Sequence, residues 1–209
     1  MTVLPLLPRF RMHRPSRVGR WGGGVAVLLL AGGCFNVRQP EPATASAEWL
    51  PATQAEILLE NFQRAIQQVN AATYERCFVG PSFQFLPDPM VAARTPGIFD
   101  QWRLDQERAY FQRLASRTSA AAGNSLTLTY PPQNVSFITT DSQLIQATYR
   151  LRLFQQDTAF KQSSFTGTAR LTLVRRAGQN EWKIAAWQDT RLDPADHVWS
   201  EVKAYFFTH

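Results

Sequence analysis

No acidic residue precedes Cys34, and the chain has only two cysteines, Cys34 and Cys77, in 209 residues. The missing acids locate the charge. The formal net charge of +6 comes from 22 Lys and Arg against 16 Asp and Glu, but Arg9, Arg11, Arg14, Arg17 and Arg20 all fall in residues 1–33. Beyond them 17 basic side chains face 16 acidic ones, which is no footprint for a phosphate backbone, so nucleic acid is not expected as a partner. The chain also lacks a glycine-rich phosphate loop, Cys or His pairs at metal-ligand spacing, and a serine nucleophile elbow. No metal and no cofactor is expected. What the sequence has in quantity is apolar surface: 44% hydrophobic residues and 12% aromatics against 18% charged residues. That composition excludes a disordered chain and suffices for one domain with a real core.

Residues 1–33 have the three parts of an export signal: an Arg-rich start ending in Arg20, an apolar run over residues 25–31, and the small residues Gly32 and Gly33 before Cys34. The run falls well short of the roughly twenty apolar residues a spanning helix needs, so a cleaved signal is expected rather than a transmembrane anchor. Leu30-Ala31-Gly32-Gly33-Cys34 resembles the bacterial lipobox, with Ala31 where that motif prefers a larger aliphatic residue. The resemblance implies acyl chains on Cys34, and several chains hold a soluble domain at a membrane where one would not. The alternative is an ordinary secretory signal cut elsewhere, with Cys34 a bystander. Translation can start at Met1 or Met12 without altering the mature chain. With Cys34 acylated, Cys77 has no intrachain partner even in an oxidising compartment, and it reads as a small core residue. Residues 34–52, rich in Pro, Ala, Ser and Thr, read as a tether. Phe35 is not the Asp that retains enterobacterial lipoproteins at the inner membrane, so the resemblance favours the outer membrane, with the domain in the periplasm or at the cell surface.

The folded part is expected from Thr53, where Thr53-Gln54-Ala55-Glu56 has the form of a capping box. Ile57, Leu58, Phe62, Ala65, Ile66 and Val69 recur at helical spacing, a break near Asn70 precedes a second helix over residues 72–78, and a third helix spans residues 99–117. Between the second and third lies a short strand over residues 82–86, ended by Pro87 and Pro89. From residue 125 the period changes to alternation, and four strand-like runs follow: residues 125–137 broken near Pro131-Pro132, residues 144–155, a run around Phe165 to Leu173, and one opening at Trp182. Apolar parity slips before Trp187, which a bulge near Ala185 explains. Helices followed by a meander with one polar face make an α+β fold, a curved antiparallel sheet covered on one side by three N-terminal helices. A C-terminal helix is expected over residues 193–209, started by Asp193-Pro194 and carrying Trp199, Val202, Tyr205 and Phe206.

Glu60-Asn61-Phe62 with the following Tyr74, Phe83-Gln84-Phe85, and the closing Trp182-Lys183-Ile184-Ala185-Ala186-Trp187-Gln188-Asp189 resemble the nuclear transport factor two superfamily, also called ketosteroid isomerase-like or SnoaL-like. The resemblance covers residues 53–192 and implies that the sheet forms a cone. Members are enzymes, adaptors or ligand binders, so the fold does not decide the activity. The enzymes place an acid or base in the cone, but the histidines here are His13, His197 and His209, none on a cone strand. Asp189 beside Trp187 is the one late carboxylate that fits a pocket base, with Tyr110 and Tyr149 as hydrogen-bond donors; otherwise it is a strand-end carboxylate paired with Arg191 or solvent. Trp102 and Trp187 are candidate ligand contacts, unless the terminal Trp and Phe residues plug the cone. Arg150, Arg152 and Arg170 form a stripe on the polar sheet face, either solvated or facing an anionic partner. The resemblance implies homodimerisation through that face. The expected function is therefore a membrane-anchored envelope lipoprotein that binds a small apolar ligand or an envelope protein without catalysis; the alternative is an isomerase, dehydratase or hydrolase using the cone acid.

Overall fold

A computed structural model describes residues 49–175 and 178–209. The export signal, His13, Cys34 and most of the tether lie outside the described residues. Trp49 and Leu50, at the end of that tether, already pack on the domain. Asn61 brackets Leu50, accepting from its N–H at 3.2 Å and donating to its carbonyl at 2.7 Å, while the Trp49 indole donates to Glu181 at 3.0 Å.

Helix α1 (Ala55–Gln67) buries Leu58, Leu59, Phe62, Ala65 and Ile66. Its N-cap is Gln54 without a side-chain bond, so the expected capping box does not form; the chain turns first through a Thr53 N–H to Pro51 carbonyl bond of 2.8 Å. Val69 lies beyond the helix end at φ 52°, a left-handed conformation rare for a β-branched residue, and is not part of the stripe. Asn70 then caps α2 (Ala71–Arg76) by accepting from the Thr73 N–H at 2.9 Å.

Strand β1 (Gln84–Leu86) is followed by a helix that the sequence reading passed over, α3 (Pro89–Arg94). Pro89 does not merely end the strand. It opens the helix, where its missing N–H costs nothing, behind Asp88, whose carboxylate accepts from the Met90 and Val91 N–H groups at 3.1 and 3.2 Å. Helix α4 (Leu104–Ser116) begins later than expected because Gln101 turns the chain at φ 58°.

The sheet runs β1-β6-β5-β4-β2, with β3 beside β2 along the same edge of β4. Its strands are β2 (Ser125–Thr129), β3 (Val135–Thr139), β4 (Ser142–Arg152), β5 (Ser164–Arg175) and β6 (Trp182–Thr190). All pairings are antiparallel except β1 with β6, which is parallel, a departure from the expected wholly antiparallel sheet. Pro131 and Pro132 separate β2 from β3 as expected. Ala185 is the extra residue where the β5–β6 register shifts, with Thr172 opposite Ala186 and Leu173 opposite Ile184. Ile145, Ala147, Tyr149 and Leu151 face the core from β4, with buried Leu153 just past its end, and Phe165, Ala169, Leu171 and Leu173 from β5, the expected parity. The sheet is curved and unclosed; α1 packs on it at β2 and β6, α2 packs on α1, and α4 on α2.

The last helix, α5 (Trp199–Thr208), starts five residues after Pro194, because Asp193 and Asp196 fold the preceding segment into a turn of its own. It buries Trp199, Ser200, Val202, Lys203, Ala204 and Phe206 on the side facing the domain, while Glu201, Tyr205 and Thr208 remain on its outer side. It packs between α4 and the sheet.

Candidate functional site

Strand alternation aims Asp189 inward beside Trp187, and the carboxylate is fully buried. Tyr149, from β4, donates to its Oδ1 at 2.8 Å. Ser200, from α5, donates to its Oδ2 twice, through the backbone N–H at 2.7 Å and the hydroxyl at 2.6 Å. Burial raises the Asp189 pKa, against these hydrogen bonds and the Lys203 charge, which lower it. The Tyr149 ring lies directly over Gly167 on β5: a Cβ there would stand 2.7 Å from the phenol oxygen and 2.8 Å from the Thr190 carbonyl oxygen. That glycine exists for a close approach rather than for a turn.

Arg191 does not pair with Asp189. β6 ends at Thr190, and the chain turns so that Arg191 meets Asp88, its Nε and Nη2 donating to Oδ1 at 3.0 and 2.8 Å and its backbone N–H to Oδ2 at 3.1 Å. Burial alone would raise the Asp88 pKa; the hydrogen bonds from Arg191 and Val91 outweigh it and hold the carboxyl below its usual value.

Another buried carboxylate, Glu107 on α4, occupies the apolar stripe between Leu104 and Tyr110. Its Oε1 accepts from the Tyr74 hydroxyl at 2.5 Å and from Lys203 Nζ of α5, and its Oε2 from the Trp102 indole at 2.6 Å. Both members of the Glu107–Lys203 pair are fully shielded from solvent. Burial lowers the Lys203 pKa to about 8, while the Glu107 charge and hydrogen bond oppose the fall. Tyr110 belongs to this cluster and not to Asp189: its hydroxyl meets that of Tyr74 at 2.9 Å and accepts from the Trp199 indole at 3.2 Å. Trp199 joins the two clusters, since its backbone N–H donates to the Tyr149 hydroxyl at 2.8 Å.

The sequence reading thus identified Asp189 and Tyr149 as neighbours and put Tyr110 with them, but missed Glu107, Ser200 and Lys203. A signal was present for two of these. Glu107 sits at a core spacing with Leu104, Tyr110, Phe111 and Leu114, and Lys203 interrupts an apolar helix. Trp102 and Trp187 are both buried; Trp102 is held by Glu107, while the Trp187 indole N–H has no hydrogen-bond partner among the described residues. Cys77 is a buried free thiol whose Sγ donates to the Thr73 carbonyl at 3.3 Å, and burial pushes its pKa far up, so it is a core residue and no nucleophile.

On the outer face of the sheet Arg150, Arg152 and Arg170 are exposed and make no ion pair among the described residues; the Arg152 guanidinium stands 5.6 Å from the centre of the Phe154 ring. Phe137 and Ile138 on β3 are also exposed, 76% and 60%. A groove of about 380 Å³ runs along the outer side of α5, walled by Val91, Ile98, Phe160 and Tyr205. Glu201 in that wall is paired with His197 at 2.7 Å and Arg94 at 3.4 Å. Among the described residues no group of His, Cys, Asp and Glu is placed to hold a metal, and no helix is long and apolar enough to cross a membrane.

No family model matches the chain, and no curated protein matches it. Solved structures similar to it include nuclear transport factor 2-like proteins. One is such a protein of unknown function from Shewanella oneidensis, with 12% identity over 64% of this chain and 93% of that one and a TM-score of 0.47. Another, from Salmonella enterica serovar Typhimurium, has 13% identity over 66% and 88%, with a TM-score of 0.48. A third, from Cytophaga hutchinsonii, has 9% identity over 65% and 93%, with a TM-score of 0.46. The class defined by the chain's own geometry is an α+β domain with a curved, unclosed six-stranded sheet whose concave side is closed by its last helix.

Proposed function

We propose that the chain is a cell-envelope lipoprotein, tethered to a bacterial membrane through acylated Cys34, whose domain is a non-catalytic binding or scaffolding module. The observation that carries the non-catalytic reading is the position of α5. Its Ser200 and Lys203 supply partners to both interior carboxylates, and Trp199 lies between the aromatic rings where a substrate would have to stand. A general acid or base needs a free lone pair or proton aimed at a reacting atom. Asp189 instead accepts three hydrogen bonds from its own chain. Binding then falls to the outer surfaces, among them the sheet face with its three arginines, a face open to homodimerisation or to an envelope protein.

The alternative keeps one observation of its own: Asp189 has a raised pKa and a tyrosine on it, the pairing that a cone isomerase, dehydratase or hydrolase would use. Native mass spectrometry of the full chain, expressed with its leader and released gently from bacterial membranes, separates the two. A species with no retained small molecule is expected, and its mass reports monomer or dimer. A defined extra mass, lost in Asp189→Asn, overturns the closed interior. Anchoring has a separate check: labelled palmitate is expected on the wild-type chain and absent from Cys34→Ala, and incorporation into that variant refutes acylation at Cys34.

A further inference from the structure

An ammonium group taken out of water loses hydration worth several kcal/mol, and a protein interior restores it only with an opposite charge, a hydrogen-bond acceptor, or aromatic faces. Lys203 Nζ has all three. Glu107 accepts its hydrogen bond, and the rings of Phe85 and Trp187 each lie 4.0 Å from it, with Tyr110 at 4.8 Å and Trp102 at 5.9 Å. All four rings fall within the roughly 6 Å over which a ring quadrupole attracts a cation.

The origin of these groups is the informative point. Phe85 is on β1, Trp187 on β6, Tyr110 and Glu107 on α4, and Trp102 in the turn before α4. None comes from α5, which contributes the cation alone. The carboxylate is fixed independently of α5 as well, by Trp102 on one oxygen and Tyr74 on the other. The receptor is therefore complete in the body of the domain, and the last helix delivers an ammonium into it on an aliphatic stem. We propose that the cone interior is a binding cage for a primary alkylammonium, filled in this chain by Lys203 as a tethered ligand. A short aliphatic amine is the class of molecule the cage accepts when that side chain is withdrawn: four rings surround the nitrogen, and one carboxylate accepts its N–H. The proposal stands apart from the export and outer-face readings.

Lys203→Ala removes the atoms from Cγ to Nζ, which together are propylammonium, and buried cavities of matching shape take up such fragments. The test is thermal unfolding of full-length Lys203→Ala at pH 7 and constant ionic strength, titrated with propylammonium chloride or with n-propanol. A saturable rise in the unfolding midpoint is expected with propylammonium, absent with n-propanol, and absent in the wild-type chain, whose cage is filled. Equal rises with both molecules, or none with either, overturn the proposal. If Lys203→Ala folds only with ligand, recovery of folded protein after refolding in propylammonium but not in n-propanol is the same readout, and recovery in neither overturns it. A second measurement keeps Lys203 in place. The chain has three lysines, Lys161, Lys183 and Lys203. With 13Cε-labelled lysine, assigned through Lys161→Arg and Lys183→Arg, the Lys203 ε-methylene protons are expected far upfield of those of exposed Lys161, shifted by the ring currents of Phe85 and Trp187. Coincidence with Lys161 refutes the cage.

Discussion

Replacing Lys203 by Met tests how the closed interior is held together. Methionine has nearly the volume and flexibility of the lysine stem, so the change removes the charge and the hydrogen bond while largely keeping the packing. What remains is Glu107, fully buried, with the Tyr74 hydroxyl and the Trp102 indole but no cation. Breaking one side of a buried ion pair costs about 3–5 kcal/mol, because the surviving charge has lost both water and partner. Adding Glu107→Gln removes that stranded charge and keeps a carbonyl oxygen to accept from Tyr74 or Trp102. The double variant is therefore expected to be more stable than the sum of the single losses predicts, by about 2 kcal/mol or more, within the range found for contacting pairs. Urea unfolding at pH 7, followed by tryptophan fluorescence, supplies all four corners of the cycle, and an unchanged slope shows that midpoints alone have moved. Two results refute the reasoning: a Lys203→Met loss below about 1 kcal/mol, or a double variant whose loss equals the sum of the singles.

The same lysine sets a pH dependence. Its pKa is about 8 in the folded chain against about 10.4 unfolded, so between those values the lysine's own contribution to stability rises with pH, opposed above about pH 8.5 by buried Cys77, which keeps a proton the unfolded chain loses. Above about pH 10 the sign reverses, because buried Tyr74, Tyr110 and Tyr149 hold their protons in the folded state after the unfolded chain has lost them. Urea midpoints from pH 7.5 to 9.5 are expected to rise in the wild-type chain relative to Lys203→Met, and parallel profiles contradict the linkage. Gly167→Ala places a methyl group 2.7 Å from the Tyr149 hydroxyl and is expected to cost about 1–3 kcal/mol, the ordinary penalty of overpacking; an unchanged unfolding midpoint contradicts it. Reductive methylation of the folded chain is expected to modify exposed Lys161 and spare Lys203, with Lys203 reacting only after unfolding; peptide mass spectrometry distinguishes the two.

The strand faces were legible because their period is two and one side is buried: every apolar position marked on β4 and β5 faces the core, and the parity slip located the Ala185 bulge. Turn chemistry was legible only in part. Pro87 and Pro89 read as strand terminators, whereas Asp88-Pro89 is also a cap and first turn, and a six-residue helix is too short to show a period. The partner of Asp189 could not be read from spacing. Arg191 two residues on shares its face in an extended strand, but β6 ends between them, and the true partners lie 40 residues away on β4 and 11 away on α5. Glu107 and Lys203 are separated by 96 residues, and neither advertises the other locally. Each was visible only as a charge at an apolar position, which a solvated face explains as readily until the fold closes over it.

That closure decides what the domain can do. Asp189 receives donors from Ser200, Glu107 receives its cation from Lys203, and Trp199 bonds to Tyr149, which donates to Asp189, and to Tyr110, which meets the Tyr74 hydroxyl that donates to Glu107. The three α5 residues lie within five positions of one another, so they enter or leave the interior as a unit. A molecule that replaced α5 would have to present donors to Asp189 and an ammonium to Glu107 together, because leaving either buried carboxylate bare costs more than one good contact returns. A flat apolar ligand meets neither demand, whatever its fit to the rings. A molecule that displaced α5 is therefore expected to donate hydrogen bonds to both carboxylates, as Ser200 and Lys203 do from the last helix.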